Sequence, residues 1–203
     1  MIHVKKIADT IMDQLRTRDT AVLGIDGLGG AGKSTISEGL RAELESRGIM
    51  AVLLHIDDFI HTRSIRYDER FPEWECYYDI QWRYDYINDT IAALKACKGG
   101  DVRIELYDKD NDSYYTDTVT VGGKTVIVVE GIFLQRKEYR GSFDYMVYID
   151  IPEEERLRRV LSRDTYIGSE KDITAKYENR YFPAERRYVD EYRPAETADY
   201  VIG

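Results

Sequence analysis

Eight consecutive residues, Gly27-Leu28-Gly29-Gly30-Ala31-Gly32-Lys33-Ser34, hold the densest chemical information in the chain. They satisfy the pattern of a glycine, four residues, then Gly-Lys-Ser or Gly-Lys-Thr. Glycines let the backbone curl until successive N–H groups point inward at phosphate oxygens, and a helix starting there adds partial positive charge. In such a cradle Lys33 reaches the β- and γ-phosphates and the Ser34 hydroxyl ligates Mg2+, while Thr35 caps or packs the first helical turn. The motif therefore predicts a nucleoside triphosphate, ATP with Mg2+, held by Gly27, Gly29, Gly30, Ala31, Gly32, Lys33, Ser34 and Thr35. The competing reading, a glycine-rich turn that matches by chance, is disfavoured because an apolar strand precedes the loop and a helical pattern follows it.

The cradle leaves the fate of the γ-phosphate open, because kinases, GTPase switches and mechanical ATPases all carry one. Guanine is usually read by Asn-Lys-x-Asp, and none of Asn88, Asn111 or Asn179 is followed by lysine. In His55-Ile56-Asp57-Asp58-Phe59-Ile60-His61 two carboxylates follow an apolar run, at the strand edge where parallel sheets bind ligands. One of the pair is placed to orient an attacking hydroxyl and take its proton; the alternative is a helix cap. Glu130 ends another apolar run, and Arg159 and Arg163, four apart on a charged helix, share a face.

These residues need elements to position them. Val4, Ile7, Ala8, Ile11 and Leu15 recur at helical spacing, predicting an amphipathic helix ahead of the first strand. Strands are predicted at Ala21–Ile25, Met50–Ile56, Val126–Val129 and Tyr145–Ile151, with a helix from Lys33 to about Arg47 and helical stretches between several strands. That alternation predicts an α/β fold with a mainly parallel sheet covered on both faces. Val102–Tyr107 and Thr116–Val121 read as a β-hairpin arm, about 101–122, outside that sheet. Pro152–Asp164 reads as a charged helix running into a candidate mobile lid, about 163–176. Aromatic residues crowd between Tyr67 and Tyr86; a packed sub-core explains them better than a stacking platform does.

The sequence has 203 residues with formal net charge −9, which suits one domain and disfavours nucleic acid or an anionic membrane as a partner. No apolar run approaches the length of a membrane span. Two isolated thiols, Cys97 on a predicted helix and Cys76 in a predicted aromatic loop, both expected to be buried, fit a reducing compartment, so a cytoplasmic location is expected.

Taken in order, the phosphate cradle, Asp57-x-Phe59, Asp79 and Asp85, Tyr107-Asp108, Glu130-Gly131-Ile132, Arg158-Arg159-Val160-Leu161 before Arg163-Asp164, Tyr177, Pro183 and the closing Ala198-Asp199-Tyr200-Val201-Ile202 resemble the uridine kinases and the related phosphoribulokinase and pantothenate kinase group. The resemblance covers most of the chain. It implies a three-layer α/β/α P-loop fold with a hairpin arm and helical lid, phosphorylating a small-molecule hydroxyl, foremost the 5′-hydroxyl of a uridine-like nucleoside. By the resemblance Asp57 is the base and Glu130 joins Ser34 in placing hydrated Mg2+. Asp79 and Tyr107 contact the acceptor, and Arg159 and Arg163 face the transferring phosphoryl group, whereas Arg156 is expected on a solvated face. Homo-oligomers are common in the group. Asn111, Lys171 and an altered lid favour a different small alcohol, such as a pantothenate-like, nicotinamide riboside-like or sugar-phosphate acceptor. A regulatory nucleotide binder is the reading from another class, and the retained Asp57 argues against it.

Overall fold

The strands form where short apolar runs can be buried on both faces. Thr20–Gly27 and Thr125–Gly131 are buried along their whole length, which is the signature of central parallel strands. A computed structural model describes residues 2–139 and 141–203. In chain order the elements begin with α1 (Ile2–Gln14), β1 (Thr20–Gly27), α2 (Lys33–Ser46) and β2 (Met50–His55), followed by a 3-10 turn, Ile56–Asp58. Next come α3 (Arg63–Arg66), α4 (Glu73–Glu75) running into a π-helical turn (Cys76–Ile80), α5 (Tyr84–Ala96), and the hairpin strands β3 (Gly100–Asp108) and β4 (Ser113–Val121). The second half holds β5 (Thr125–Gly131), β6 (Tyr145–Ile149), α6 (Glu153–Arg163), α7 (Glu170–Lys176), a second π-helical turn (Tyr177–Tyr181), α8 (Phe182–Tyr192), α9 (Pro194–Thr197) and β7 (Tyr200–Ile202).

Five strands make one parallel sheet in the order β2-β5-β1-β6-β7. Side chains alternate across it. Ala21, Leu23 and Ile25 of β1 join Val126 and Val128 of β5 beneath Ile7 and Ile11 of α1 and Leu40 and Leu44 of α2. Val22, Ile127 and Val129 pack on the opposite face against Ile87, Ile91 and Leu94 of α5 and Tyr188 of α8. The expected three-layer α/β/α arrangement is therefore present. The hairpin pairs only with itself, from Gly100 opposite Val121 to Asp108 opposite Ser113, so its strands run longer and its turn is tighter than the alternation predicted.

Three expectations need correction. The N-cap of α2 falls at Gly32, which has a left-handed φ of 96°, and Thr35 stands exposed rather than capping the turn. Arg156 does not lie on a solvated face: it is 3% exposed and ion-paired with buried Glu185 at 2.8 Å. Cys76 is buried, but in a π-helical turn rather than a loop, where the carbonyls of Asp68 and Phe71 accept from its thiol. The closing segment adds a fifth sheet strand, β7, which three residues cannot announce by periodicity.

Most of the aromatic crowd is packing. Tyr78 and Trp82 are buried, and edge-on contacts to Phe133 join Tyr77, Tyr78, Trp82 and Tyr188 into one cluster. Tyr77 also reaches the cleft described next.

Candidate active site

The parallel order puts the carboxyl ends of β1, β5 and β2 side by side, so the glycine loop, Glu130 and the Asp57 turn meet at one edge. A cleft of about 250 Å³ opens there, lined by Gly29, Gly30, Lys33, Ser34, Asp57, Glu130 and Arg163 among others. A second cavity of about 500 Å³ lies between α6 and α8 and includes neither Lys33 nor Asp57.

The loop is built to receive anions. Gly30 adopts φ +80°, and a Cβ there would meet the Arg156 carbonyl at 2.8 Å, so only glycine lets α6 back up against the loop. The N–H groups of Gly30, Gly32, Lys33 and Ser34 donate to no acceptor among the described residues. Not every amide of the loop is free: Gly27 donates to Asp26 at 2.8 Å, Ala31 to Leu28 and Gly29 to Glu185 at 2.8 Å. Lys33 lies across the loop with Nζ 3.3 Å from the Leu28 carbonyl.

Glu130 is 7% exposed. Its Oε1 accepts from His55 at 2.6 Å and from the Ser34 hydroxyl at 3.3 Å, whereas Oε2 is buried without a partner. Burial opposes its ionisation, but the His55 hydrogen bond and the nearby Lys33 charge outweigh it and hold the carboxyl below its usual range. The same bond raises His55. An ionised carboxylate with a spare oxygen beside a loop serine suits a hydrated hard cation, and Mg2+ takes most of its ligands from water and phosphate.

Asp57 is exposed on the 3-10 turn, makes no ion pair among the described residues, and lines the cleft; half-buried Asp58, raised by burial, does not line it. Gly131 fixes that turn, because a Cβ there would stand 2.1 Å from Ile56 Cγ1. Arg163 lines the cleft and is held by Asp164 through two hydrogen bonds, at 2.6 and 3.1 Å, while Asp164 also accepts from Tyr177 at 2.7 Å. Arg159 stands outside the cleft, bonded to Glu155 and to the carbonyls of Gly30 and Ala31.

The two residues expected at the acceptor are not brought to the cleft. Asp79 is spent on Arg136 at 3.0 Å and Arg187 at 3.2 Å. Tyr107 is buried; its hydroxyl donates to Asp112 at 2.7 Å and accepts from Arg66 at 3.0 Å. Instead the far wall is supplied by Arg66, Tyr67, Gln81, Lys109, Tyr166, Arg180 and Tyr181. Sequence reasoning placed Tyr166 only within a candidate lid and Tyr67 only in the aromatic crowd, and it missed Arg66, Gln81, Lys109, Arg180 and Tyr181, and Glu185 with them, because no spacing marks residues that converge from a short helix, a hairpin turn, a π-helical turn and α8.

A phosphate-binding loop on a parallel sheet, sharing a small cleft with a carboxylate that makes no ion pair among the described residues, defines a P-loop small-molecule kinase. Residues 22–202 match the Phosphoribulokinase / Uridine kinase family, and the chain belongs to that family. It is 30% identical over 185 residues to a uridine kinase of Staphylococcus haemolyticus (strain JCSC1435), covering 85% of this chain and 86% of that one. A uridine kinase of Staphylococcus aureus (strain JH9) is 34% identical over 149 residues, 72% of this chain and 69% of the relative. Among solved structures, one described as a possible uridine kinase from Bacillus stearothermophilus superposes with a TM-score of 0.79 at 32% identity, over 98% and 97% of the two chains.

Proposed function

We propose that the protein transfers the γ-phosphoryl group of ATP, with Mg2+, to a hydroxyl of a small molecule seated in the cleft. The observation that carries this reading is Asp57: an exposed carboxylate without an ion partner among the described residues, on the same cleft as Lys33 and Ser34. Asp57 takes the acceptor's hydroxyl proton as its oxygen bonds to the γ-phosphorus, and the bond from that phosphorus to the β,γ-bridging oxygen breaks, releasing ADP. The unspent loop amides and Lys33 hold the phosphates, while Arg163, braced by Asp164, offers its guanidinium to the charge that develops on the transferring group. Ser34 and Glu130 would hold the Mg2+, which neutralises phosphate charge when bound.

The relatives' names suggest a uridine-like nucleoside as acceptor, and the two free thiols, Cys76 and Cys97, support a reducing cytoplasm as the compartment. No helix among the described residues is long and apolar enough to cross a membrane. ADP release should be measured with Mg-ATP across nucleosides and other small alcohols, with Asp57→Asn as control. Acceptor-dependent turnover that falls about 10²- to 10⁴-fold in the variant supports the reading; ATP binding with no acceptor-dependent turnover would favour a regulatory nucleotide binder.

A further inference from the structure

Five cationic side chains line the cleft, Lys33, Arg66, Lys109, Arg163 and Arg180, against four carboxylates, Asp57, Glu130, Asp164 and Glu185. Two of the carboxylates are already committed, Asp164 to Arg163 and Glu185 to Arg156. The Arg163 charge is thereby matched, and Lys33 belongs with the loop and Glu130. Arg66, Lys109 and Arg180 remain, with no carboxylate in ion-pair contact among the described residues. They are not overflow from a basic protein, since the net charge is −9.

Their surroundings show a built feature. Arg180 is 1% exposed, and its guanidinium meets only neutral acceptors, the Glu73 carbonyl at 3.1 Å and Gln81 Oε1 at 2.8 Å. A buried guanidinium without a counter-charge is costly unless an anion supplies it. Arg66 bonds the Tyr107 hydroxyl, yet its Nε is buried with no partner. Both guanidiniums lie against the Tyr67 ring, at 5.2 and 4.4 Å from its centroid, so one aromatic side chain of the cleft wall joins the two cations. Their elements, α3 and the second π-helical turn, are not part of the phosphate-binding loop, and Lys109 reaches the cleft from the hairpin turn.

Resting on the kinase reading above, we infer that the acceptor alcohol carries an oxyanion, held by Arg66, Arg180 and Lys109 while Asp57 addresses its hydroxyl. A neutral nucleoside could offer a carbonyl to the spare Arg66 donor but would leave the buried Arg180 charge without a counter-charge. Arginine forks suit both carboxylate and phosphate, so the chemistry names the oxyanion class, and the assay separates its two sources.

The test compares Mg-ATP turnover on neutral and anionic partners: glycerol, glycerate and glycerol 3-phosphate; ribose and ribose 5-phosphate; and uridine. The expected result is preference for an anionic member by at least tenfold in kcat/KM, with carboxylate or phosphate identified by which arm responds. Arg66→Gln and Lys109→Gln should raise KM for that acceptor at least tenfold with KM for ATP within about twofold. Lys109 is exposed, so its variant remains informative if Arg180→Gln fails to fold. If no member of the panel turns over, the protein saturated with Mg and a non-hydrolysable ATP analogue is titrated with inorganic phosphate. Thermal stabilisation of the wild type that is lost in Arg66→Gln then supports the oxyanion site, and no stabilisation overturns it. Preferred turnover of uridine, unchanged in Arg66→Gln and Lys109→Gln, overturns the inference and leaves the kinase standing; failure to bind ATP at all overturns the kinase reading itself.

Discussion

Glu130 has one oxygen committed and one free, and the division decides what its loss would do. His55 and Ser34 share Oε1, so Glu130→Gln keeps an acceptor for both while removing the charge near the unpartnered Oε2. Magnesium titrated at fixed ATP should show half-saturation shifted upward by about 10- to 100-fold, with the melting temperature little changed. Asp164 belongs to the same scale. Burial alone would raise it, but hydrogen bonds from Arg163 and Tyr177 bring it below its ordinary value of 3.8. A carboxylate depressed in the folded state stabilises above its unfolded pKa, and that contribution is lost as pH falls through the folded one. The stability gap between wild type and Asp164→Asn should therefore be constant at neutral pH and close below about pH 3.8, which thermal melts across pH 2.5 to 6 (roughly the carboxylate range) would show. Arg163 is 62% exposed, so most of that gap comes from the buried Tyr177 bond, about 1 to 2 kcal/mol.

At the scale of elements, the turn that carries Asp57 is only as well placed as the strand beside it. The end of β5 passes so close to Ile56 that Gly131→Ala would force the turn away, costing about 1 to 3 kcal/mol and displacing neighbouring Asp57. A lower melting temperature together with a lower kcat is expected, whereas Gly122→Ala, which meets nothing within 4 Å, should melt and turn over like the wild type. The buried strands and amphipathic helices were legible in the sequence because their signal is local: apolar runs for β1 and β5, a period of 3.6 for α1, strict alternation for the hairpin. The loop from Gly27 to Ser34 was legible for the same reason. Arg156 was not, since an arginine among three glutamates reads as a surface salt-bridge partner until α8 brings Glu185 over it. Nor were Arg66 and Arg180, whose meeting at Tyr67 joins segments more than a hundred residues apart.

Over the whole molecule, the Arg156–Glu185 pair ties three regions together. Arg156 donates to the Gly29 carbonyl at 3.0 Å and to Glu185, and Glu185 accepts the Gly29 N–H, so α6, α8 and the phosphate loop share one buried ionic knot. Glu185→Leu alone strands a buried guanidinium and should cost about 3 to 5 kcal/mol in chemical denaturation. Adding Arg156→Met should restore most of that stability without restoring ATP affinity, because the Gly29 amide still lacks its acceptor; recovery of both would mean the knot serves folding alone. The two π-helical turns carry a different consequence. Their rings meet in the cleft wall, Tyr77 edge-on to Tyr181 at 4.9 Å, and each turn holds one residue more than an α-helical turn would. Deleting a single codon from either would rewind the helix and rotate everything beyond it by roughly 100°, swinging Arg180 or Gln81 off the cleft. A lineage could thus refit this wall for a new acceptor in one genetic step, with every side chain around the pocket still encoded.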